Sequence, residues 1–312
     1  MKRKRHINRR RTTGLALAGL AAGLAGASEI RAQEPAVPAP GQQVILVTGS
    51  TSGLGREVAR RLASGGAHVI VHGRNRERGL ELVAEIEREG RGSARFYAAD
   101  FASFAATREL ADAILRNYDR LDVLVNNAGF GSAPDERLLS EDGHEFRFQV
   151  NYLSGYLLTR LLLPLILESA PSRIVNVSSL AQRPIDFDDV MIERDFSGGR
   201  AYAQSKLAQV MFTFDLAEEL AGTGVMVNSL HPATYMPTGM VQRLGVEPRA
   251  TIGEGADAVL QLITSTGIEG GQFFNGLEPA RANAQAYDVE ARARLRLLSE
   301  ELTGVEAASR DG

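Results

Sequence analysis

Cysteine is absent from this chain of 312 residues, and lysine is nearly so. Without a thiol the protein forms no disulfide and uses no thiolate, which excludes a disulfide-stabilised scaffold. Only three of the 35 basic residues are lysine; Lys2 and Lys4 lie in the first eleven residues, so Lys206 is the single lysine of the remaining chain. An ammonium kept where every other cation is a guanidinium indicates a specific role, because the two groups differ in shape and hydration. Drift toward arginine would give the same count.

Composition and charge exclude several classes of function. Hydrophobic residues make up 44% and charged residues 23%, as in ordinary globular proteins. The net charge is −3, but seven bases fall in the first eleven residues, which leaves 28 bases against 38 acids and a net charge of −10. A surface of that sign favours neither nucleic acid nor an anionic membrane. Neither the five scattered histidines nor the acids have the spacing of a metal site, so we predict none.

The two ends of the chain differ from its body. Residues 1–27 combine a basic start, a short apolar run and small residues at 25–27, the pattern of an export signal. The arginines at 9–11 make it twin-arginine-like, although the usual aromatic residue after the pair is missing, and the run is too short for a stable membrane span. We predict export to the periplasm, with a cytoplasmic protein and a basic tail as the alternative. Residues 28–42 read as a proline-rich linker and 306–312 as a tail.

Residues 43–305 read as one domain. Six β-branched runs predict strands at 43–48, 68–72, 94–99, 121–126, 173–178 and 225–230. Helical apolar spacing predicts helices at 56–64, 77–89, 104–118, 146–167 and 201–220. No tight hairpin joins the strands, which favours parallel pairing with right-handed crossovers. The predicted fold class is α/β: a single Rossmann-type doubly wound parallel sheet with helices on both faces.

A glycine-rich turn follows the first strand. Gly49, Gly53 and Gly55, with Ser52 and Leu54 between them, lie where the chain must turn sharply and direct a helix N-terminus at an anion. The turn therefore predicts a pyrophosphate site, with an ordinary turn in an unrelated α/β protein as the alternative.

The end of the second strand predicts which nucleotide binds. NAD-binding sheets place an acid there for the ribose 2′-hydroxyl, whereas this strand ends in Arg74 and Asn75, with no acid before Glu77. An arginine holds a 2′-phosphate through charge-assisted hydrogen bonds, and Arg56 is a candidate second cation. We therefore predict NADP in preference to NAD. The alternative makes Arg74 a solvated loop residue.

Tyr202 and Lys206 are spaced four residues apart on a predicted helix, so both project from one face. We expect the ammonium to lower the pKa of the phenol, which makes Tyr202 a candidate acid and base. Polar and small residues at the carboxyl ends of three further strands, and one asparagine within a helix, accompany this pair: Asn126, Asn127, Ala128, Gly129, Asn151, Ser178, Ser179, Pro232 and Thr234.

In order and spacing these motifs resemble the short-chain dehydrogenase/reductase family over about residues 43–305. SRIVNVSSL, AYAQSKLAQVMF and RLRLLSEELTG look most like its retinol-dehydrogenase-like branch. The resemblance implies a relay in which Tyr202 exchanges a proton with the substrate and Lys206 lowers its pKa and holds the nicotinamide ribose. It further implies that Ser179, with Ser178 as its rival, binds the substrate oxygen, and that Asn151 fixes a water.

The same resemblance implies which residues touch the cofactor. Asp100 would bind adenine, or would cap the helix from Phe101 onward. The full predicted cofactor set is Gly49, Ser52, Gly53, Leu54, Gly55, Arg74, Asn75, Asp100, Phe101, Asn127, Ala128, Gly129, Tyr202, Lys206, Pro232 and Thr234.

Two features depart from the family pattern. Ala233 replaces the usual glycine after Pro232, which puts the nearby loop in doubt, and residues 181–200 form an insertion that we interpret as a solvated acidic loop beside the cleft. Met236, Met240, Val241 and Leu244 favour an apolar small-molecule substrate.

The predicted activity is NADP-dependent hydride transfer between nicotinamide and a carbonyl or alcohol. A non-catalytic nucleotide sensor or scaffold, and a lyase or epimerase, are the alternatives. The sequence leaves a homo-oligomer open.

Overall fold

The computed structural model describes residues 36–305. The predicted export signal, most of the predicted linker and the C-terminal tail lie outside these residues and stay predictions. Eight strands form one sheet in the order β3-β2-β1-β4-β5-β6-β7-β8, in which the first seven strands are parallel and β8 is antiparallel to β7. This order confirms the doubly wound α/β fold.

The strands are β1 Val44–Val47, β2 His68–Gly73, β3 Ser93–Ala98, β4 Val123–Asn126, β5 Ser172–Val177, β6 Val225–His231, β7 Phe273–Asn275 and β8 Glu278–Ala280. The α-helices are α1 Gly53–Ser64, α2 Arg76–Glu89, α3 Phe104–Asn117, α4 Phe146–Phe148, α5 Ser154–Glu168, α6 Gly198–Glu219, α7 Gly239–Gln242, α8 Ile252–Thr264 and α9 Val289–Thr303. A π-helical turn, Gln149–Leu153, joins α4 to α5, and a 3-10 turn spans Ala284–Tyr287.

The alternation of side chains along β1 shows how the sheet organises two cores. Val44 and Leu46 face a core shared with α3, α5, α6 and α9, while Ile45 and Val47 face a second core shared with α1, α2 and α8. All four β1 side chains are fully buried, as expected for a strand covered by helices on both faces.

The six predicted strands and five predicted helices are present, but the edge after β6 was missed. β7 and β8 have three residues each and meet through a tight turn at Gly276, whose φ of +59° lies in the left-handed region. The predicted parallel sheet is confirmed for β1–β7, and the antiparallel pairing of β8 with β7 is an addition that the sequence did not predict. Three residues are too few to show the alternation that marks a strand.

One helical stretch in the described residues, Phe146–Glu168, is long and apolar enough to cross a membrane, and 78% of its most apolar window is buried inside the fold. Burial against the sheet explains its apolar composition, because this helix belongs to the larger core.

Candidate active site

A cleft of about 1430 Å³ opens at the carboxyl edge of the sheet, beyond the ends of β1, β2, β4, β5 and β6. This is the edge where open α/β sheets bind ligands. Its lining includes every residue of the predicted cofactor set, together with Ser178 and Ser179. Asn151 and Arg56 do not line it.

The glycine-rich turn leaves no room for side chains. A Cβ at Gly55 would lie 2.4 Å from Asn127 Nδ2 and 2.5 Å from the Gly49 carbonyl oxygen. Gly49 itself has a φ of +64°, and its Cβ would lie 2.8 Å from the Ala128 backbone. Ser52 precedes α1 without capping it through its side chain, so the first N–H groups of α1 are left available at the cleft.

Two residues that the sequence analysis passed over hold this turn in place. The Thr48 hydroxyl accepts hydrogen bonds from the backbone N–H groups of Asn127 and Ala128, at 2.9 and 3.0 Å. His72 Nδ1 accepts from the Gly49 N–H at 3.2 Å, which leaves Nε2 to donate to the Ala99 carbonyl at 3.2 Å. Burial lowers the pKa of His72 to about 4, so the ring is neutral, as this pattern requires. Thr48 was visible as the residue before the first glycine.

The far end of the cleft carries arginine. Arg74 is largely exposed, and its guanidinium lies 3.5 Å from the Asp100 carboxylate. Arg78, which the sequence analysis did not name, also lines the cleft. Arg56 does not: it forms an ion pair with Glu85 on α2, so its prediction as a second phosphate ligand is wrong.

The neighbouring predicted residues have structural partners as well. Asn75 caps α2 by accepting from the Arg78 N–H at 2.9 Å. The ring of Phe101 stacks on His72 with centroids 4.6 Å apart. The alternative interpretation of Asp100 as a helix cap is wrong, because Ser103 caps α3 while Asp100 accepts from the Ala102 N–H at 3.0 Å.

Ser179 and Tyr202 meet at the floor of the cleft. Burial raises the pKa of Tyr202, and a hydrogen bond with the Ser179 side chain acts in the opposite direction. Ser178, the rival serine, points away, because its hydroxyl donates to the backbone carbonyl of Lys206 at 2.7 Å.

Lys206 does not act on Tyr202 as the sequence analysis expected. Its ammonium lies 5.7 Å from the Tyr202 ring centroid and donates to the Val177 carbonyl at 2.9 Å and to Gln209 Oε1 at 2.8 Å. Burial lowers the pKa of Lys206 to about 7. The causes that shift the pKa of Tyr202 are burial and Ser179, and the charge of Lys206 is not among them. The prediction that Lys206 lowers the pKa of Tyr202 is therefore wrong. A protonated phenol at neutral pH is nevertheless the form that can donate a proton.

Asn151 lies in the π-helical turn and is buried. Its Oδ1 accepts from the Phe130 N–H at 2.6 Å, while its Nδ2 donates to the Phe130 carbonyl and to the Ser205 hydroxyl at 3.1 and 2.8 Å. Asn151 therefore fixes the loop after β4. It has no hydrogen bond to Lys206, although both side chains face Gly129.

The segment after β6 forms one side of the cleft. Pro232 and Thr234 line it, and the Thr234 hydroxyl is 3.0 Å from His231 Nε2. Tyr235 adopts a φ of +51°, which a residue other than glycine rarely does. The apolar lining continues through α7 to Leu244, and the next helix, α8, packs against α1.

The insertion at residues 181–200 carries exposed acids, as predicted, but it is also anchored to the fold. Ile185 and Ile192 are buried, and Ile185 exchanges two hydrogen bonds with the Gln285 side chain at 2.6 and 3.1 Å. Its acids are mostly paired: Asp186 with Arg200, Asp188 with Arg294, and Asp189 with Arg194 and the backbone. Within residues 36–305, no cluster of three or more possible ligands could hold a metal ion.

Comparison with known proteins agrees with this geometry. Residues 43–248 match the short chain dehydrogenase family. The chain belongs to the short-chain dehydrogenase family. It is 36% identical over 293 residues to human retinol dehydrogenase 14, a match that covers 84% of this chain and 87% of that one, which confirms the retinol-dehydrogenase-like branch.

Solved structures give the same result. An uncharacterised protein of Mycobacterium paratuberculosis superposes with a TM-score of 0.72 at 30% identity, over 88% of this chain and 97% of that one. A short-chain dehydrogenase of Shigella flexneri, complexed with NADP, superposes with a TM-score of 0.60 at 29% identity, over 76% of this chain and 97% of that one.

The chain is thus an NAD(P)-dependent dehydrogenase/reductase, as the sequence predicted. Its cleft fits a nicotinamide dinucleotide, because Gly49 and Gly55 keep free the space that a Cβ would fill and the N-terminus of α1 is left without a side-chain cap.

Proposed function

We propose that this short-chain dehydrogenase is an NADP-dependent oxidoreductase that interconverts a carbonyl and an alcohol on a small apolar molecule. The observation that carries the proposal is that Ser179, Tyr202 and Lys206 all line one cleft, next to the glycine-rich turn. Three groups able to bind an oxygen, donate a proton and hold a ribose then border the same space.

In this proposal the chain's own residues handle the oxygen and its proton. Ser179 donates a hydrogen bond to the substrate oxygen. Tyr202, whose raised pKa keeps it protonated at neutral pH, gives its proton to that oxygen during reduction and becomes a phenolate. Oxidation is the reverse step, in which the phenolate takes the proton of the alcohol. The bound nicotinamide supplies or accepts the hydride. Asn151 keeps the Gly129–Gly131 loop in place at the cleft wall.

The preference for NADP rests on the far end of the cleft. Arg74 and Arg78 both line it, and β2 ends in Gly73 without the acid that NAD-binding sheets carry at the end of this strand. Two guanidinium groups are suited to a 2′-phosphate. The Shigella flexneri relative, crystallised with NADP, supports this preference.

An apolar substrate is supported by the opposite end of the cleft. The residues there are mostly apolar or aromatic: Phe130, Phe146, Leu180, Tyr235, Met240, Val241 and Leu244. The relatives named retinol dehydrogenase indicate by their name an apolar alcohol of this kind.

The test is a panel of aliphatic and aromatic aldehydes, ketones and alcohols with NADP(H) and NAD(H), read by nicotinamide absorbance. We expect turnover with apolar members of the panel and with NADPH in preference to NADH. Binding of NADPH without turnover of any member would favour the sensor or scaffold. Conversion of a substrate without net change in absorbance would favour a lyase or epimerase.

A further inference from the structure

The ammonium of Lys206 is buried without a carboxylate. It donates to two neutral oxygens, the Val177 carbonyl at 2.9 Å and Gln209 Oε1 at 2.8 Å, and Lys206 is only 4% exposed. A buried charge is costly unless hydrogen bonds replace its hydration. The two acceptors are therefore what makes the protonated amine tolerable here.

Two titratable groups face this ammonium among the described residues. Tyr202 lies on the same helix, with its ring centroid 5.7 Å away, and His231 ends β6. Burial, with a smaller contribution from the charge of Lys206, lowers the pKa of His231 to about 4, so the imidazole is neutral and carries no charge that could stabilise the ammonium. Asn151, across Gly129, has no charge. The amide of Gln209 is thus the one side chain in the described structure that accepts a hydrogen bond from Lys206.

Gln209 is itself fixed by a buried polar network. Its backbone carbonyl accepts from the Thr213 hydroxyl at 2.8 Å, and that hydroxyl accepts from Asn176 Nδ2 at 2.9 Å. Asn176 Oδ1 in turn accepts from Asn126 Nδ2 at 2.9 Å, where β4 and β5 pair. The network joins α6 to the two central strands, so the position of Gln209 is set by the sheet that also supplies the Val177 carbonyl.

We propose that Gln209 is a positioning residue for Lys206: its amide oxygen and the Val177 carbonyl together hold the side chain in its protonated, cleft-facing position. Gln209 does not line the cleft, and it acts only through the lysine. Removing the acceptor should lower the pKa of Lys206, because the ammonium loses a hydrogen bond. Replacing the amide by a carboxylate should raise that pKa, because a negative charge then faces the ammonium.

The lysine content of the chain permits a direct measurement. Because Lys206 is the only lysine after residue 4, selective ¹³Cε-lysine labelling of the full chain gives three signals, of which Lys206→Arg removes one. The signal of Lys206 is followed against pH in the wild type, in Gln209→Leu and in Gln209→Glu. Gln204→Leu is the matched control, since Gln204 lies on the same helix and is buried but bonds to Arg200 instead.

We expect the wild-type midpoint near pH 7, a downward move of about one to two pH units in Gln209→Leu, and an upward move of at least about one unit in Gln209→Glu. Gln204→Leu should leave the midpoint unchanged. An unchanged midpoint in Gln209→Glu overturns the proposal even where Gln209→Leu does not fold. Equal moves in Gln204→Leu and Gln209→Leu overturn it as well.

The importance of this residue for catalysis rests on the proposed function, but the titration does not. NADPH affinity, measured by fluorescence, should weaken as the pH rises through each variant's own midpoint, because the ribose is expected to need the protonated amine. Failure of the carbonyl panel with the wild type would remove the proposed function and leave the titration result intact.

Discussion

Replacing Arg147 by methionine should destabilise the protein and distort the loop that forms one wall of the cleft. The Arg147 side chain is fully buried in α4, and its guanidinium binds the loop after β4 through backbone carbonyls. It donates to the carbonyls of Gly131, Ser132, Pro134 and Glu136. A single side chain therefore fixes the path of the chain from Gly131 to Glu136.

The magnitude follows mainly from the ion pair that the substitution breaks. Arg147 lies 3.1 Å from the carboxylate of Glu145, which is also fully buried. Leaving a buried charge without its partner typically costs about 3–5 kcal/mol of unfolding free energy. The freed carbonyls add less, because Pro134 and Glu136 are exposed and can bind water. Removing both charges with Glu145→Gln and Arg147→Met should therefore recover much of the loss.

The assay is urea unfolding at pH 7, combined with kcat/KM for the best carbonyl substrate of the panel. We expect Arg147→Met to lower both the unfolding free energy and kcat/KM, and the double variant to restore stability more than activity. Arg74→Ala is the surface control and should leave stability unchanged. A loss below about 1 kcal/mol in Arg147→Met, or no recovery in the double variant, would refute the argument.

Three further predictions concern the cofactor and pH. Gly55→Ala should weaken NADPH binding at least about tenfold in a fluorescence titration, because the new methyl group would lie 2.5 Å from the Gly49 carbonyl oxygen and the backbone must shift. An unchanged Kd would contradict the assignment of the glycine-rich turn as the pyrophosphate site. Arg74→Ala should lower kcat/KM for NADPH about tenfold and leave the NADH value nearly unchanged, and an unaltered ratio between the two cofactors would exclude Arg74 as the 2′-phosphate ligand. The unfolding free energy should be highest above pH 6.5 and should fall as the pH drops toward 4. Burial lowers the pKa of His68, His72 and His231 to about 4, so between these pH values only the unfolded chain binds the extra protons. Each histidine contributes a loss of up to about 3 kcal/mol, visible as a falling urea midpoint, and a midpoint that is flat over this range would be inconsistent with these pKa values.

Local signals were sufficient to predict much of the fold. The first six strands are four to seven residues long and contain adjacent apolar residues, and their alternation with helical spacing indicates a parallel sheet. The helix α8 was missed although Thr251 and Glu254 form a complete capping box, a signal that can be read from the sequence. β8 had no such signal, since Glu278 and Pro279 are poor strand formers and pair only because β7 offers an edge.

The candidate site was also predicted only in part. Motif spacing located Gly55 and Tyr202, because the role of each depends on where it lies relative to a strand end or along a helix. Residues that act through distant partners were not located in this way: Arg56 binds Glu85 on another helix, and His72 supports Gly49 across two strands. The pKa of Tyr202 was predicted in the wrong direction because spacing places Lys206 on the same face without showing that its ammonium points to Val177 and Gln209.

The central claim is that the Tyr202 hydroxyl moves the proton of the reaction, and Tyr202→Phe tests it most directly. The ring keeps its packing and loses only the oxygen, so NADPH should bind the variant with nearly the wild-type Kd while kcat falls at least about a hundredfold. Wild-type turnover in Tyr202→Phe, on the same substrate and with NADPH bound, would contradict the account.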